Sequence, residues 1–200
     1  KLAAYFFTVV GVLIIHGLIV YPLLLMIISR VNPLVFLKKM REPIMVAFST
    51  SSSGATMPVT MRTVETKLGV NKRVSSFAVP LGATINMDGT AIMQGVATVF
   101  ISQFYGISLT PDQYLMVILT ATLASIGTAA VPGVGLVMLT MVLAQVGLPV
   151  EGIGLIIGVD RLLDMLRTAV NVTGDGTVST LVASTEGDLD RQIFADGEVK

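Results

Sequence analysis

Residues 160–175, DRLLDMLRTAVNVTGD, set three aspartates, an in-line arginine and an asparagine into a segment otherwise apolar enough to lie in lipid. On a helix turning about 100° per residue, Asp160, Asp164, Arg167, Asn171 and Asp175 follow one another at steps of three or four and fall within an arc of roughly 80°. One wall of that helix is polar. Leu162, Leu163, Leu166, Val170 and Val172 make up the opposite wall, suited to lipid or an apolar neighbour. A charge at bilayer depth costs at least about 2.5 to 3.5 kcal/mol, so such residues usually face a bundle interior or a cavity and mark a substrate or ion path. Three carboxylates against one in-line guanidinium leave a negative surplus, which either admits water or binds cations.

The competing reading is a solvated face on an amphipathic surface helix, and composition argues against it. Hydrophobic residues make up 53% of the chain and charged residues 13%; mean hydropathy is +0.83, beyond an ordinary globular domain. The expected class is an all-α membrane protein. A net charge of zero without a basic cluster and interleaved aromatics predicts no nucleic-acid partner. Absence of cysteine excludes disulfides and thiolate metal sites. No basic region precedes the first apolar run and Lys1 opens the chain, so the sequence reads as a piece of a longer protein without a signal peptide.

The elements that must position the polar wall follow from charge-free runs and their interruptions. Residues 1–30 read as a first transmembrane helix, uncharged from Leu2 to Ser29. His16 lies inside it as an isolated group and reads as a packed, hydrogen-bonded side chain. Arg30, Lys38, Lys39 and Arg41 place the following end inside the cell. Residues 31–73 centre on STSSSGATMP and carry basic residues on both flanks. A full crossing would put those flanks on opposite sides, so a re-entrant hairpin with cytoplasmic flanks is expected. Its serine tip would offer free N–H groups at a half-helix start.

Residues 74–106 are long enough to span but are broken by NMDGT, Asn86 to Thr90, where an unwound joint is expected. Residues 111–148 lack charge beyond Asp112 and centre on SIGTAAVPGVG; two half-helices meeting at a Gly/Pro tip, entered from outside, fit better than two full spans. Residues 152–185 form the polar-striped transmembrane helix, and 186–200 a cytoplasmic tail, largely disordered. The order is hairpin, broken helix, second hairpin, polar helix, with the hairpins entering from opposite sides. Such inverted pairs bind their cargo near the midplane and are expected of secondary transporters.

Four motifs, TSSSGATMP, NMDGT, ASIGTAAVPG and DMLRTAVNVTGD, together resemble the dicarboxylate/amino acid:cation symporters, the glutamate transporter family. Those carriers are themselves known instances of the inverted-repeat architecture, so the two arguments are not independent. The resemblance implies a glutamate transporter-like transport domain, about the C-terminal half of a member, with the trimer scaffold preceding Lys1. It implies Arg167 clamping the substrate's side-chain carboxylate, Asp164 taking the amino group, Asn171 the α-carboxylate, and Thr168 and Thr90 adding hydroxyls. Backbone around Ser51 and Ser53 in the first tip, and around Val131 and Gly135 in the second, would close on the ligand. Sodium would bind as a coupling ion at carbonyls of Gly82, Asn86 and Asn171 with the Asp175 carboxylate. A second site would use Thr84, Ser125, Ile126 and Thr128, and a third Asn86 and Asp88. No further cofactor is implied.

Three departures stand out. Family members usually carry a further arginine in the first tip or just before the position of Arg167; here those seats hold Ser51 and Met165, and Arg161 lies off the main stripe. Ala130 replaces a common glycine. Gln94 replaces the glutamate of animal carriers, which argues against proton coupling there and suggests a prokaryotic type. The expected function is therefore uptake of aspartate or glutamate with sodium by a homotrimer in the inner (plasma) membrane, with no enzymatic activity. The alternatives are a C4-dicarboxylate or proton-coupled symporter of the same fold and, more remotely, an intramembrane serine hydrolase using Ser49, Ser51, Ser52 or Ser53, for which His16 lies far off in sequence.

Overall fold

The computed structural model describes residues 1–126 and 130–196, and among them every regular element is helical. The first helix runs from Leu2 to Ser29 and is, among the described residues, the one long and apolar enough to cross a membrane. Within it α1 (Leu2–Ile15) widens into a π-turn over His16–Val20, continues as α2 (Tyr21–Leu24), and widens again over Leu25–Ser29. Pro22 cannot donate to the carbonyl four residues back, and the N–H of Tyr21 bonds the carbonyl of His16, five back.

Asn32 caps α3 (Pro33–Lys39) by accepting from the Leu34 N–H at 2.9 Å. Helix α4 (Arg41–Thr50) stops at Ser51, whose φ of 53° is left-handed, and Ser52 then caps α5 (Ser53–Thr66) by accepting from the Ala55 N–H at 3.1 Å. With only two residues between them, α4 and α5 fold back on each other. Helices α6 (Lys72–Ile85) and α7 (Asp88–Phe104) are separated by Asn86 and Met87 alone, so Asp88, Gly89 and Thr90 of NMDGT belong to the first turn of α7. Helices α8 (Pro111–Ile126) and α9 (Val134–Gln145) pack together. A 3-10 turn over Val150–Leu155 leads into α10 (Ile157–Glu186).

Helix α10 is the axis, touching α1, α4, α5, α6 and α7. Two apolar cores lie along it. One joins Tyr5, Val9 and Leu13 of α1 to Met93, Ala97 and Ile101 of α7, with Leu139 and Leu143 of α9 and Leu163 of α10. The other gathers Phe36, Met40, Ala47, Val64 and Val79 around Val172 and Ala183. The polar wall sits between them. The wall opposite is divided: Leu163 and Val172 are fully buried, whereas Leu162 is exposed beside an outer surface rich in apolar groups such as Phe7, Ile27, Leu34 and Leu115.

The expectation of a largely disordered tail over 186–200 is corrected for its described residues, 186–196. Gly187 ends α10 in the left-handed conformation, the Asn71 N–H bonds the carbonyl of Asp188, and the Asp190 N–H bonds that of Gly69. A short α11 (Arg191–Ala195) follows, capped by Asp190. Phe194 is buried, and the ammonium of buried Lys39 donates to the carbonyls of Lys67, Ile193 and Phe194 at 2.7 to 2.9 Å. An apolar anchor and a cation that saturates three carbonyls hold a segment whose composition alone reads as unstructured.

Candidate functional site

Helical periodicity brings the stripe of α10 together, and packing decides what each group meets. Arg167 is 1% exposed. Its Nη1 donates to Asp160 Oδ1 at 3.0 Å and its Nη2 to Asp164 Oδ1 at 2.8 Å. Asp160 is buried with it, while Arg161 is exposed and takes no part. The second carboxylate oxygen of Asp164 accepts from the N–H of Gly133, just ahead of α9, at 3.1 Å.

Close approach to α7 relies on glycine. A Cβ at Gly89 would lie 2.8 Å from the Arg167 carbonyl. Without one, the Gly89 N–H donates to Asn171 Oδ1 at 2.8 Å, and Asn171 Nδ2 reaches Thr90 Oγ1 at 3.4 Å. In the joint, Asn86 Nδ2 donates to Asp175 Oδ1 at 3.0 Å and to the Asn171 carbonyl at 3.1 Å. A Cβ at Gly82 would lie 2.6 Å from the same Asp175 oxygen. Gly82, Asn86, Asn171 and Asp175 thus converge.

The remaining expected cation ligands are less drawn together. Thr84 is exposed and bonds the Leu81 carbonyl; Ser125 is buried and bonds the Thr122 carbonyl; Ile126 is exposed. Their helices α6 and α8 touch, and Thr128 lies outside the described residues. Asp88 has partners of its own, its Oδ2 lying 3.0 Å from both His16 Nε2 and the Tyr21 hydroxyl. Among the described residues no three His, Cys, Asp or Glu side chains form a metal-binding group, so a cation here must draw on carbonyls and amides as well.

The two turns meet over this wall. Ser52 donates its hydroxyl to the Ala130 carbonyl at 2.7 Å, and the Gly54 N–H reaches the same oxygen at 3.2 Å. Beneath them Ser51, Ser53, Met87, Thr90, Ala130, Val131, Gly135, Asp164, Thr168 and Asn171 line a half-open pocket of about 20 Å³, room for about one water. Eight of the nine expected substrate residues line it. The exception is Arg167, which lies alongside between its two aspartates.

A model of the sodium:dicarboxylate symporter family matches residues 1–185. The chain belongs to that family. It is 47% identical over 190 residues to an excitatory amino acid transporter of Caenorhabditis elegans, covering 94% of this chain and 38% of the relative. It is 52% identical over 175 residues to excitatory amino acid transporter 3 of Mus musculus, covering 88% and 34%, and 49% identical over 175 residues to excitatory amino acid transporter 2 of the same species, covering 88% and 31%. The chain thus spans between about three tenths and two fifths of the length of these relatives. As a member of a symporter family it belongs to a membrane. These relatives are animal proteins, so they lend no support to the prokaryotic type suggested by Gln94.

Several residues of this family member's site escaped sequence reasoning. Asp160 was on the stripe, yet its partner was not evident. Met87 lies unmarked in the joint, and the hydrogen bond between Ser52 and Ala130 has no signal in the sequence. His16 is the packed, hydrogen-bonded side chain that the sequence predicts, its partner being Asp88; Tyr21 joins it there although residues five apart on a regular helix face different ways, and Pro22, next to Tyr21, is the signal available in the sequence.

Proposed function

We propose that the protein bearing this chain is a secondary active symporter that takes up acidic amino acids together with sodium. Residues 31–73 and 111–148 act as re-entrant hairpins entering from opposite sides. Residues 1–30 cross the membrane, 74–106 form a broken crossing, 152–185 return the chain, and 186–200 lie on the cytoplasmic side. The whole protein acts as a homotrimer in the inner (plasma) membrane. The observation that carries this reading is the cavity lined by Asp164, Asn171, Thr168, Thr90 and the two tips, with a buried guanidinium beside it.

The parts divide the work by chemistry. Arg167, whose Nη groups are held by Asp160 and Asp164 beside the cavity, has a planar fork suited to a side-chain carboxylate once it turns toward the ligand, and Asp164, already an acceptor, takes an ammonium group. Asn171 and the hydroxyls of Thr90 and Thr168 meet the α-carboxylate, with backbone at Ser51, Ser53, Val131 and Gly135 closing above. The pocket's volume of about 20 Å³ is below that of an amino acid, and on this reading loading widens it where Ser52 and Ala130 meet. Gly82, Asn86, Asn171 and Asp175 take one sodium ion, Thr84, Ser125, Ile126 and Thr128 a second, and Asn86 with Asp88 a third. The names of the relatives and the carboxylate of Asp164 favour an amino acid over a C4-dicarboxylate. Gln94 is a neutral amide that does not titrate, and its Nε2 donates to the Gly135 carbonyl at 3.2 Å. A serine hydrolase is disfavoured because, among the described residues, Ser49 bonds the Met45 carbonyl and Ser52 that of Ala130, and no serine of this turn is hydrogen-bonded to His16, the chain's one histidine.

The deciding experiment is radiolabelled aspartate uptake into liposomes holding the full-length protein. Accumulation should require an inward sodium gradient and be inhibited by glutamate far better than by succinate. Accumulation driven by a proton gradient without sodium would overturn the ion assignment, and stronger inhibition by succinate the substrate assignment.

A further inference from the structure

We propose that His16 and Tyr21 are positioning residues for Asp88, fixing the carboxylate through which, on the reading above, a sodium ion is held. Both come from the first helix and both end on one oxygen. Tyr21 donates its hydroxyl to Asp88 Oδ2 at 3.0 Å, and His16 Nε2 lies 3.0 Å from the same atom. On a regular α-helix residues five apart are about 140° from each other around the axis. The π-turn over His16–Val20, closed by the Tyr21 N–H on the His16 carbonyl, brings residue 21 over residue 16. The rings consequently meet edge to face, with centroids 4.6 Å apart.

A second feature makes this arrangement specific to the joint. A Cβ at Gly174 would lie 2.4 Å from both the Tyr21 hydroxyl and Asn86 Nδ2, so Tyr21 reaches Asp88 only because α10 carries no side chain at that point. The Asp88 side chain is otherwise 41% exposed. A carboxylate at the first turn of α7 with that much freedom would have to be ordered by the incoming cation. Two partners on Oδ2 order it beforehand, leaving the cation a fixed ligand.

The test is sodium binding to the purified full-length protein without substrate, by radiolabelled sodium and by sodium-dependent rise in melting temperature. Tyr21→Phe keeps the ring and removes one donor; His16→Leu removes the other; His16→Gln keeps an N–H. Tyr21→Phe and His16→Leu should each weaken sodium binding about tenfold, with His16→Gln recovering most of the loss. In an Asp88→Asn background the same changes should have no further effect on sodium binding. Unchanged binding in the single variants, or an undiminished loss in the Asp88→Asn background, would overturn the proposal. A variant that melts lower without sodium but keeps wild-type sodium affinity would show a merely structural role and also overturn it. Wild-type protein that binds no sodium would remove the symport reading itself, a distinct result.

Discussion

Ser52 and Ala130 lie 78 positions apart in sequence, yet the serine hydroxyl donates to the alanine carbonyl across 2.7 Å and joins the turn between α4 and α5 to the segment ahead of α9. The same Ser52 oxygen caps α5 by accepting from the Ala55 N–H. One hydroxyl therefore both starts a helix and latches the two tips over the cavity.

Replacing Ser52 by Ala removes both bonds. The cap contributes about 0.5 to 2 kcal/mol and the tip bond about 0.5 to 1.5 kcal/mol. Hydrogen exchange in the ligand-free protein should quicken by about tenfold or more at Gly54 and Gly133, with the amides of α10 unchanged. Exchange that stays slow at both glycines would mean that the latch lies elsewhere.

Arg167→Cys should act in two separable ways. Loss of the guanidinium should weaken aspartate binding by about two decades or more. It also strands Asp160, which is buried, and breaking such a pair costs about 3 to 5 kcal/mol. Adding Asp160→Asn should restore much of the melting temperature without restoring aspartate affinity, measured by calorimetry and equilibrium binding on the same samples. Recovery of affinity by the second change would refute the clamp.

Gly82→Ala places a methyl 2.6 Å from Asp175 Oδ1, and Asp175 is too buried to swing away freely. Sodium stabilisation of the protein should fall sharply, while sodium-free stability drops by about 1 to 3 kcal/mol through overpacking. A sodium response equal to that of the wild type would place the cation away from Asp175.

Charge predicts voltage dependence. Asp160 and Asp164 share Arg167, whereas Asp88 meets His16 and Tyr21 and Asp175 meets the neutral amide of Asn86, and an acidic amino acid adds a further negative charge. Loading without several monovalent cations would leave an uncompensated charge at the midplane. Uptake should therefore carry net positive charge inward and quicken with an inside-negative potential, each net charge gaining about 2.3 kcal/mol per 100 mV. Liposomes clamped with potassium and valinomycin provide the measurement. One sodium per aspartate with no response to potential would contradict the charge count.

The sequence by itself determined what depends on neighbours within a turn or two. Steps of three and four put Asp160, Asp164, Arg167, Asn171 and Asp175 on one wall; NMDGT announced the break between α6 and α7; the run of small polar residues around Ser51 and Ser52 marked the turn between α4 and α5. These are properties of helical periodicity and local backbone preference, legible because the interacting residues are close in the chain. Partner choice was decided only by tertiary packing. His16 and Tyr21 meet Asp88, Asn171 meets Gly89 and Asn86 meets Asp175, because helices approach closely where Gly82, Gly89 and Gly174 carry no side chain and because a π-turn shifts the phase of the first helix; Ser52 meets Ala130 across 78 positions of sequence. The ordered segment through Asp196 has the same origin: its seat for Phe194 and its contact with Lys39 exist only once α3, α5 and α10 are assembled. Periodicity says which face a residue occupies; which group stands opposite is set by backbone approach between elements distant in sequence.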